Sequence, residues 1–293
     1  MTGPREGARA VLVGVDPVRE WHLPVAWAVD EAHRRHLPLR LVLAVPPPHD
    51  AHHVDDAHHV DDGPRRTALR RAGAERLGQA RGWIRQRDPQ LAVTEELRDG
   101  FPAPVIAGLA QEAHMVVLGS RHLGRVAEVV SAGSLVVPVT AQAPCPVVVV
   151  GDAAHTTQQP PYVVCGIDGS AASVTALRFA FDEAELRGAG VRAVSVRQPP
   201  VLPLQEQEAA VRRQRVLLSE ATAGLSEKYP DVHLTHEVLI GHPVEELSRA
   251  AEHALAVVVG RRGRGGCTGM RIGSTVHGLL HRAHCPVITV AEG

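Results

Sequence analysis

Short apolar runs alternate with longer amphipathic stretches along the 293-residue chain. In the second half the runs fall near 162–167, 190–196, 232–238, 255–260 and 286–290, and read as strands. The stretches between them, near 171–187, 204–228, 243–253 and 273–283, read as helices. Ser170 or Ser173 is placed to cap the first of these helices, and Pro243 stands where a first helical turn tolerates it. Strands that are apolar on both faces and separated by helices predict a parallel sheet covered on both sides.

The pattern is written twice. Residues 10–16, Ala-Val-Leu-Val-Gly-Val-Asp, match 162–168, Tyr-Val-Val-Cys-Gly-Ile-Asp. Residues 115–119, Met-Val-Val-Leu-Gly, match 256–260, Ala-Val-Val-Val-Gly. Ala-Pro-Cys-Pro-Val-Val-Val-Val at 143–150 matches Ala-His-Cys-Pro-Val-Ile-Thr-Val at 283–290. The offset is 152 residues at Asp16/Asp168 and 140 at Cys145/Cys285, so the first copy is longer by 12. The hexamer Ala-His-His-Val-Asp-Asp, written twice at 51–62, is long enough to supply nearly all of that excess. Two homologous domains follow, 1–150 and 161–293, joined by a polar linker at 151–160. Each is expected to be a five-stranded doubly wound α/β sheet.

Composition narrows the class. With three Trp, two Tyr and three Phe, the core must come from Val, Leu and Ala. A net charge of −1 argues against nucleic-acid or acidic-membrane partners, which require a basic footprint. No run approaches the ~18 apolar residues that a membrane span needs. The first apolar run, Val11–Val15, is too short for a signal-peptide core, so the chain reads as cytoplasmic. Its four cysteines, Cys145, Cys165, Cys267 and Cys285, form no C-x-x-C pair and read as reduced. Cys267, in a glycine-rich segment, is the one expected at the surface. Lys228 is the only lysine, and none lies near a glycine cluster, which excludes a Walker-type phosphate loop.

In doubly wound sheets ligands bind beyond the carboxyl ends of the strands, where strand order reverses. Asp168 ends the first strand of the second copy. After the fourth strand comes a glycine-rich loop, Gly260-Arg-Arg-Gly263, leading to Gly273-Ser274-Thr275 at the start of the last helix. Glycines let backbone approach an anion closely. Amide groups at Gly273, Ser274 and Thr275 would point out of a helix N-terminus, with Arg261, Arg262, Arg264 and Arg271 adding charge. A solvated surface loop accounts for the same composition.

Gly-x-x-Gly, nine residues, then Gly-Ser resembles the nucleotide-binding signature of the universal stress protein family. Gly-Ile-Asp-Gly-Ser at 166–170 and Cys-Pro-Val at 285–287 are similar to that family too, and the resemblance covers nearly the whole chain in a tandem form. It implies two Rossmann-like domains of the adenine nucleotide alpha hydrolase-like kind. It also implies ATP, with or without Mg2+, or another adenine nucleotide between the first and fourth strands. Carried over, Asp168 faces the adenosine side, Val196 contacts adenine through its backbone, and Gly260, Gly263, Gly273, Ser274 and Thr275 hold ribose and phosphates. The resemblance further implies a pseudo-dimer through strands 146–150 and 286–290, with pairing of two chains open.

The first copy departs from this pattern. Asp16, Val45, Gly119, Gly133 and Ser134 stand at the matching positions, but Pro17-Val18 replaces Gly-Ser. His122 occupies the second signature glycine, and ten residues rather than nine separate it from Gly133. An imidazole there obstructs the phosphate side unless Gly124 lets the loop repack, so this site is read as degenerate. His52, His53, His58 and His59 with Asp55, Asp56, Asp61 and Asp62 are competent metal ligands but follow no zinc spacing. They read as a solvated loop, and no metal site is expected.

Catalysis has little support. There is no Gly-x-Ser-x-Gly elbow, no His-Glu-x-x-His and no Ser-Gly-Gly-x-Asp-Ser loop. Asp168 is a single carboxylate rather than a metal-binding pair, and His242 and His277 near the ligand face are the other candidate bases. The expectation is therefore a nucleotide-dependent stress-response regulator that acts on an unknown protein partner. A slow ATPase or phosphotransfer protein and a nucleotide-free scaffold are the alternatives.

Overall fold

The computed structural model describes residues 9–47, 63–120, 135–151, 154–198, 204–264 and 271–292. The His-rich insertion 51–62, His122, Gly124, Gly133, Ser134 and Cys267 lie outside the described residues.

The first copy contains β1 (Val11–Gly14), α1 (His22–Arg35), β2 (Leu39–Val45), α2 (Gly63–Arg87), β3 (Val93–Asp99), α3 (Pro102–Leu109), β4 (Met115–Gly119), α4 (Val136–Gln142) and β5 (Val147–Val150). The second contains β6 (Tyr162–Gly166), α5 (Ala171–Arg187), β7 (Gly190–Arg197), α6 (Leu204–Thr222), α7 (Leu225–Lys228), β8 (Leu234–Ile240), α8 (Pro243–Ala250), β9 (Ala256–Gly260), α9 (Ser274–Arg282) and β10 (Val287–Val290). Strands and helices alternate as their patterning predicts. One stretch differs: the helix expected over 204–228 is broken, because Gly224 adopts φ +76° between α6 and α7.

By contacts the chain forms two compact units, Met1–Gly119 with Gly133–Val139, and Ser120–Ala132 with Thr140–Gly293. In the first, the parallel order is β3-β2-β1-β4. In the second, the order is β5-β10-β9-β6-β7-β8, parallel throughout except that β5 runs antiparallel to β10, with Val287 opposite Val149. In both units the first strand of the copy lies between the second and the fourth. Strand order reverses there, which leaves a crevice beyond the carboxyl ends.

The core is built mainly of Val, Leu and Ala, with Phe181 the largest fully buried side chain. Each buried Val, Leu or Ile contributes about 1.5–3 kcal/mol. Ser170 caps α5, its hydroxyl accepting the Ser173 amide at 3.1 Å. Of the linker, His155 bonds the Ala254 carbonyl at 2.8 Å, and the Gln158 amide donates to His253 O at 3.0 Å. Among the described residues no helix is long and apolar enough to cross a membrane.

Candidate functional site

Asp168 is set in place by the strand before it. The Ile167 amide extends the sheet by donating to Val194 O at 2.8 Å, which delivers Asp168 just past the carboxyl edge of β6. Gly169 then turns at φ +79°, a left-handed conformation that side chains resist. The turn brings the Ser170 amide and hydroxyl onto Asp168 Oδ1, at 3.0 and 2.6 Å.

The other carboxylate oxygen reaches across the crevice. Asp168 Oδ2 accepts the Arg264 amide at 2.9 Å, from the loop after β9. A Cβ at Gly263 would sit 2.3 Å from that oxygen, so only glycine lets the loop lie against the carboxylate. Burial by itself would raise the Asp168 pKa. The hydrogen bonds from Ser170 and from Arg264 N–H outweigh it and hold the carboxyl below its ordinary value. Asp168 is therefore an ionised acceptor at neutral pH.

The loop's ends are tied to one another. Gly273 N–H donates to Arg261 O at 2.9 Å, and Arg262 Nε to Arg271 O at 3.3 Å. Gly273 is the N-cap of α9 and makes no side-chain cap, so the first-turn amides, including those of Ser274 and Thr275, lack intrahelical acceptors. These donors and the Asp168 acceptor flank one loop.

The signature glycines differ in what they do. Gly260 lets α5 approach β9: a Cβ there would lie 2.7 Å from both the carbonyl carbon and the Cβ of Ala172. At Gly273 the nearest atom to a Cβ is Arg261 O at 3.6 Å, an ordinary contact. Arg261 points away from the crevice, its Nη1 donating to Ala143 O at 2.6 Å beyond the C-terminus of α4. Burial and the neighbouring Arg262 lower its pKa. Arg264 Nη1 lies 3.2 Å from where a Gly169 Cβ would be, so this guanidinium folds over the Asp168 turn.

Strand register locates Val196. Gly166 pairs with Val194 in β6/β7, so two residues further on Asp168 comes level with Val196. In the first copy Gly14 pairs with Val42, and two residues further on Asp16 comes level with Ala44. Val45, matched to Val196 by sequence, is thus one position beyond in register. The surroundings of Asp16 differ as well. Its Oδ1 accepts the Val18 and Arg19 amides, both at 2.9 Å, from its own connection to α1. At Gly119, the counterpart of Gly260, the nearest atom to a Cβ among the described residues is Pro24 Cγ at 3.4 Å.

Sequence reasoning named Asp168 and Gly263 but missed that they touch, and it missed the Arg264 amide. The Asp-Gly-Ser triplet was the available signal for the turn: a short acceptor, a glycine able to reverse, and a hydroxyl to cap the next helix. His242 and His277 lie apart from the carboxylate, lining a pocket of about 440 Å³ between α8 and α9, next to Gly273 and Ser274.

The model of the universal stress protein family matches residues 7–151 and 162–291. A universal stress protein of Mycobacterium tuberculosis H37Rv is 34% identical over 309 residues, covering 100% of both chains. One from Mycolicibacterium smegmatis is 35% identical over 299 residues, covering 96% of each. Among solved structures, a universal stress protein from Archaeoglobus fulgidus aligns with a TM-score of 0.71 at 16% identity, over 97% of this chain and 96% of that one. A putative universal stress protein from Pseudomonas aeruginosa gives 0.64 at 18% identity, over 98% and 94%. At such identities the likeness shows the fold: two tandem α/β domains with mostly parallel sheets.

Proposed function

Because the chain belongs to the universal stress protein family, we propose that its second domain binds an adenine nucleotide, ATP foremost, and that the chain acts through occupancy of that site as a stress-response regulator. One observation carries the reading: an ionised carboxylate and the uncapped N-terminus of α9 flank the same glycine-containing loop. Ribose hydroxyls are donors and need an acceptor, which Asp168 supplies. Phosphates are anionic acceptors and need donors, which the Ser274 and Thr275 amides supply with the favourable end of the helix dipole. Val196, level with Asp168, offers backbone to the base. Gly263 keeps the loop close enough to contact the ribose side and the phosphate side together.

The bound nucleotide would supply the phosphate charge; the chain's residues bind and orient it. On this reading Asp168 is a hydrogen-bond acceptor and no catalytic step is assigned to it. Occupancy instead ties Asp168 and the loop start at Gly263 to the first turn of α9, and changes the surface shown to a protein partner. The first domain, with Pro17-Val18 in place of Gly-Ser and His122 at the second signature glycine, takes no tight ligand on this reading.

The direct test is to denature protein purified without added nucleotide and to identify what is released, with its stoichiometry. One ATP for each chain is expected. Two would overturn the single-site reading, and none, followed by no uptake on titration, would overturn nucleotide binding altogether.

A further inference from the structure

Beyond the candidate nucleotide site, α9 carries two imidazoles for which the proposed function has no use. His277 and His281 are four residues apart on a helix, a spacing that stacks side chains on one face. Their ring centroids are 4.6 Å apart, with 52° between the planes. Both residues are exposed, and among the described residues no hydrogen bond engages either ring. Two imidazoles at this spacing are the helix-borne half of several zinc sites, because both ring nitrogens can reach one ion.

The surroundings favour a cation here. A metal takes imidazole in its neutral form, through a ring nitrogen lone pair. The adjacent guanidinium of Arg282 is engaged by Glu245 at 3.1 Å, which offsets that positive charge beside the pair. His277 also lines the pocket of about 440 Å³ shared with His242 and Ser274, so an ion on this face has open volume beside it. Among the described residues no group of three or more His, Cys, Asp or Glu is arranged around an ion. The described residues thus provide two ligands on this face.

We propose that His277 and His281 form a two-imidazole chelate for a borderline divalent transition ion of the Zn2+, Ni2+ or Cu2+ class, with the remaining coordination positions taken by water or by a ligand in the adjoining pocket. Imidazole suits these ions, and Cu2+ should bind more tightly than Ni2+ or Zn2+. The inference does not depend on the nucleotide reading.

The test must separate this pair from the histidines of the 51–62 segment. In the full chain carrying His52, His53, His58 and His59 all replaced by Ala, Zn2+ is titrated calorimetrically at pH 7.5. One ion per chain is expected. His277→Ala and His281→Ala, each added singly, should weaken uptake by about tenfold or more, since losing a direct ligand costs at least what losing an outer partner does. Both positions are exposed, so thermal melts should be unchanged. With Cu2+, electron paramagnetic resonance should report two coordinating nitrogens in the parent chain and one in either variant. No heat in the parent chain, or uptake indifferent to both substitutions, would overturn the proposal.

Discussion

Two aspartates at the same place in two copies of one fold do different things. Asp16 and Asp168 each stand two residues beyond the last paired residue of a first strand, Gly14 or Gly166. Both accept the amide two residues on, from Ser170 or Val18; Asp168 also reaches across the crevice to the Arg264 amide, and among the described residues Asp16 takes the Arg19 amide of its own connection. The connection that follows makes the difference. α5 begins three residues after Asp168, at Ala171, and its first turn lies against Gly260. α1 begins six residues after Asp16, at His22, and the longer connection supplies amides of its own. Gly169 at φ +79° makes the short turn, and Pro17, with φ held near −65°, cannot copy it. The short connection leaves Asp168 one oxygen for the loop across the crevice, while the longer one places two amides of its own on a single oxygen of Asp16.

The strongest way to break this contrast is to give the second copy the residue of the first. Gly263→His places a Cβ 2.3 Å from Asp168 Oδ2, so the loop must leave the carboxylate. On the proposed function, affinity for ATP should fall on the order of 100-fold, about 2.7 kcal/mol. Circular dichroism should be unchanged, because residue 263 is in an exposed loop. Unaltered affinity would show that the loop's approach to Asp168 is not what binds the nucleotide.

A second comparison sets Gly260 against Gly119, equivalent residues at two strand ends. Gly260→Ala drives a methyl to 2.7 Å from the backbone of Ala172, and should cost about 1–3 kcal/mol through overpacking. Among the described residues Gly119→Ala meets only Pro24 Cγ, at 3.4 Å, and should stay within about 0.5 kcal/mol of the parent. Urea midpoints of the two variants decide it. Equal costs would mean that the close seating of α5 on β9 does not distinguish the copies.

Much of this was legible in the residues. The period of the apolar runs and the internal repeat foretold parallel strands, and α5 spans the stretch read from pattern alone because Ser170 and Gly188 punctuate it. The break at Gly224 escaped notice because the flanking residues are good helix formers, and one glycine inside such a run is as often tolerated. At the site, sequence placed Gly260 and Gly263 in one signature yet could not tell their tasks apart. One makes room for a helix and the other for a carboxylate, and that division depends on distances no spacing encodes. Arg261 was read as a charge for phosphate because composition reports that an arginine is present but not where its side chain points. The structure turns it to the Ala143 carbonyl.

The gentlest probe of the asymmetry between the copies is proton uptake at Asp168. Its folded-state pKa lies below the ordinary 3.8, so the ionised form stabilises the folded loop at every pH above the unfolded value. That contribution fades only as pH falls through the lower, folded value. Between pH 5 and 8 the Arg264 amide should therefore keep a constant nuclear magnetic resonance shift, and it should move only below about pH 4. In Asp168→Asn the same amide should show no such titration, because an amide oxygen accepts its hydrogen bond without ionising. An Arg264 shift that titrated between pH 5 and 7 would mean that burial dominates the hydrogen bonds. Asp168 would then be partly protonated near neutrality, and it would be a poorer acceptor for ribose hydroxyls than the geometry of the loop requires.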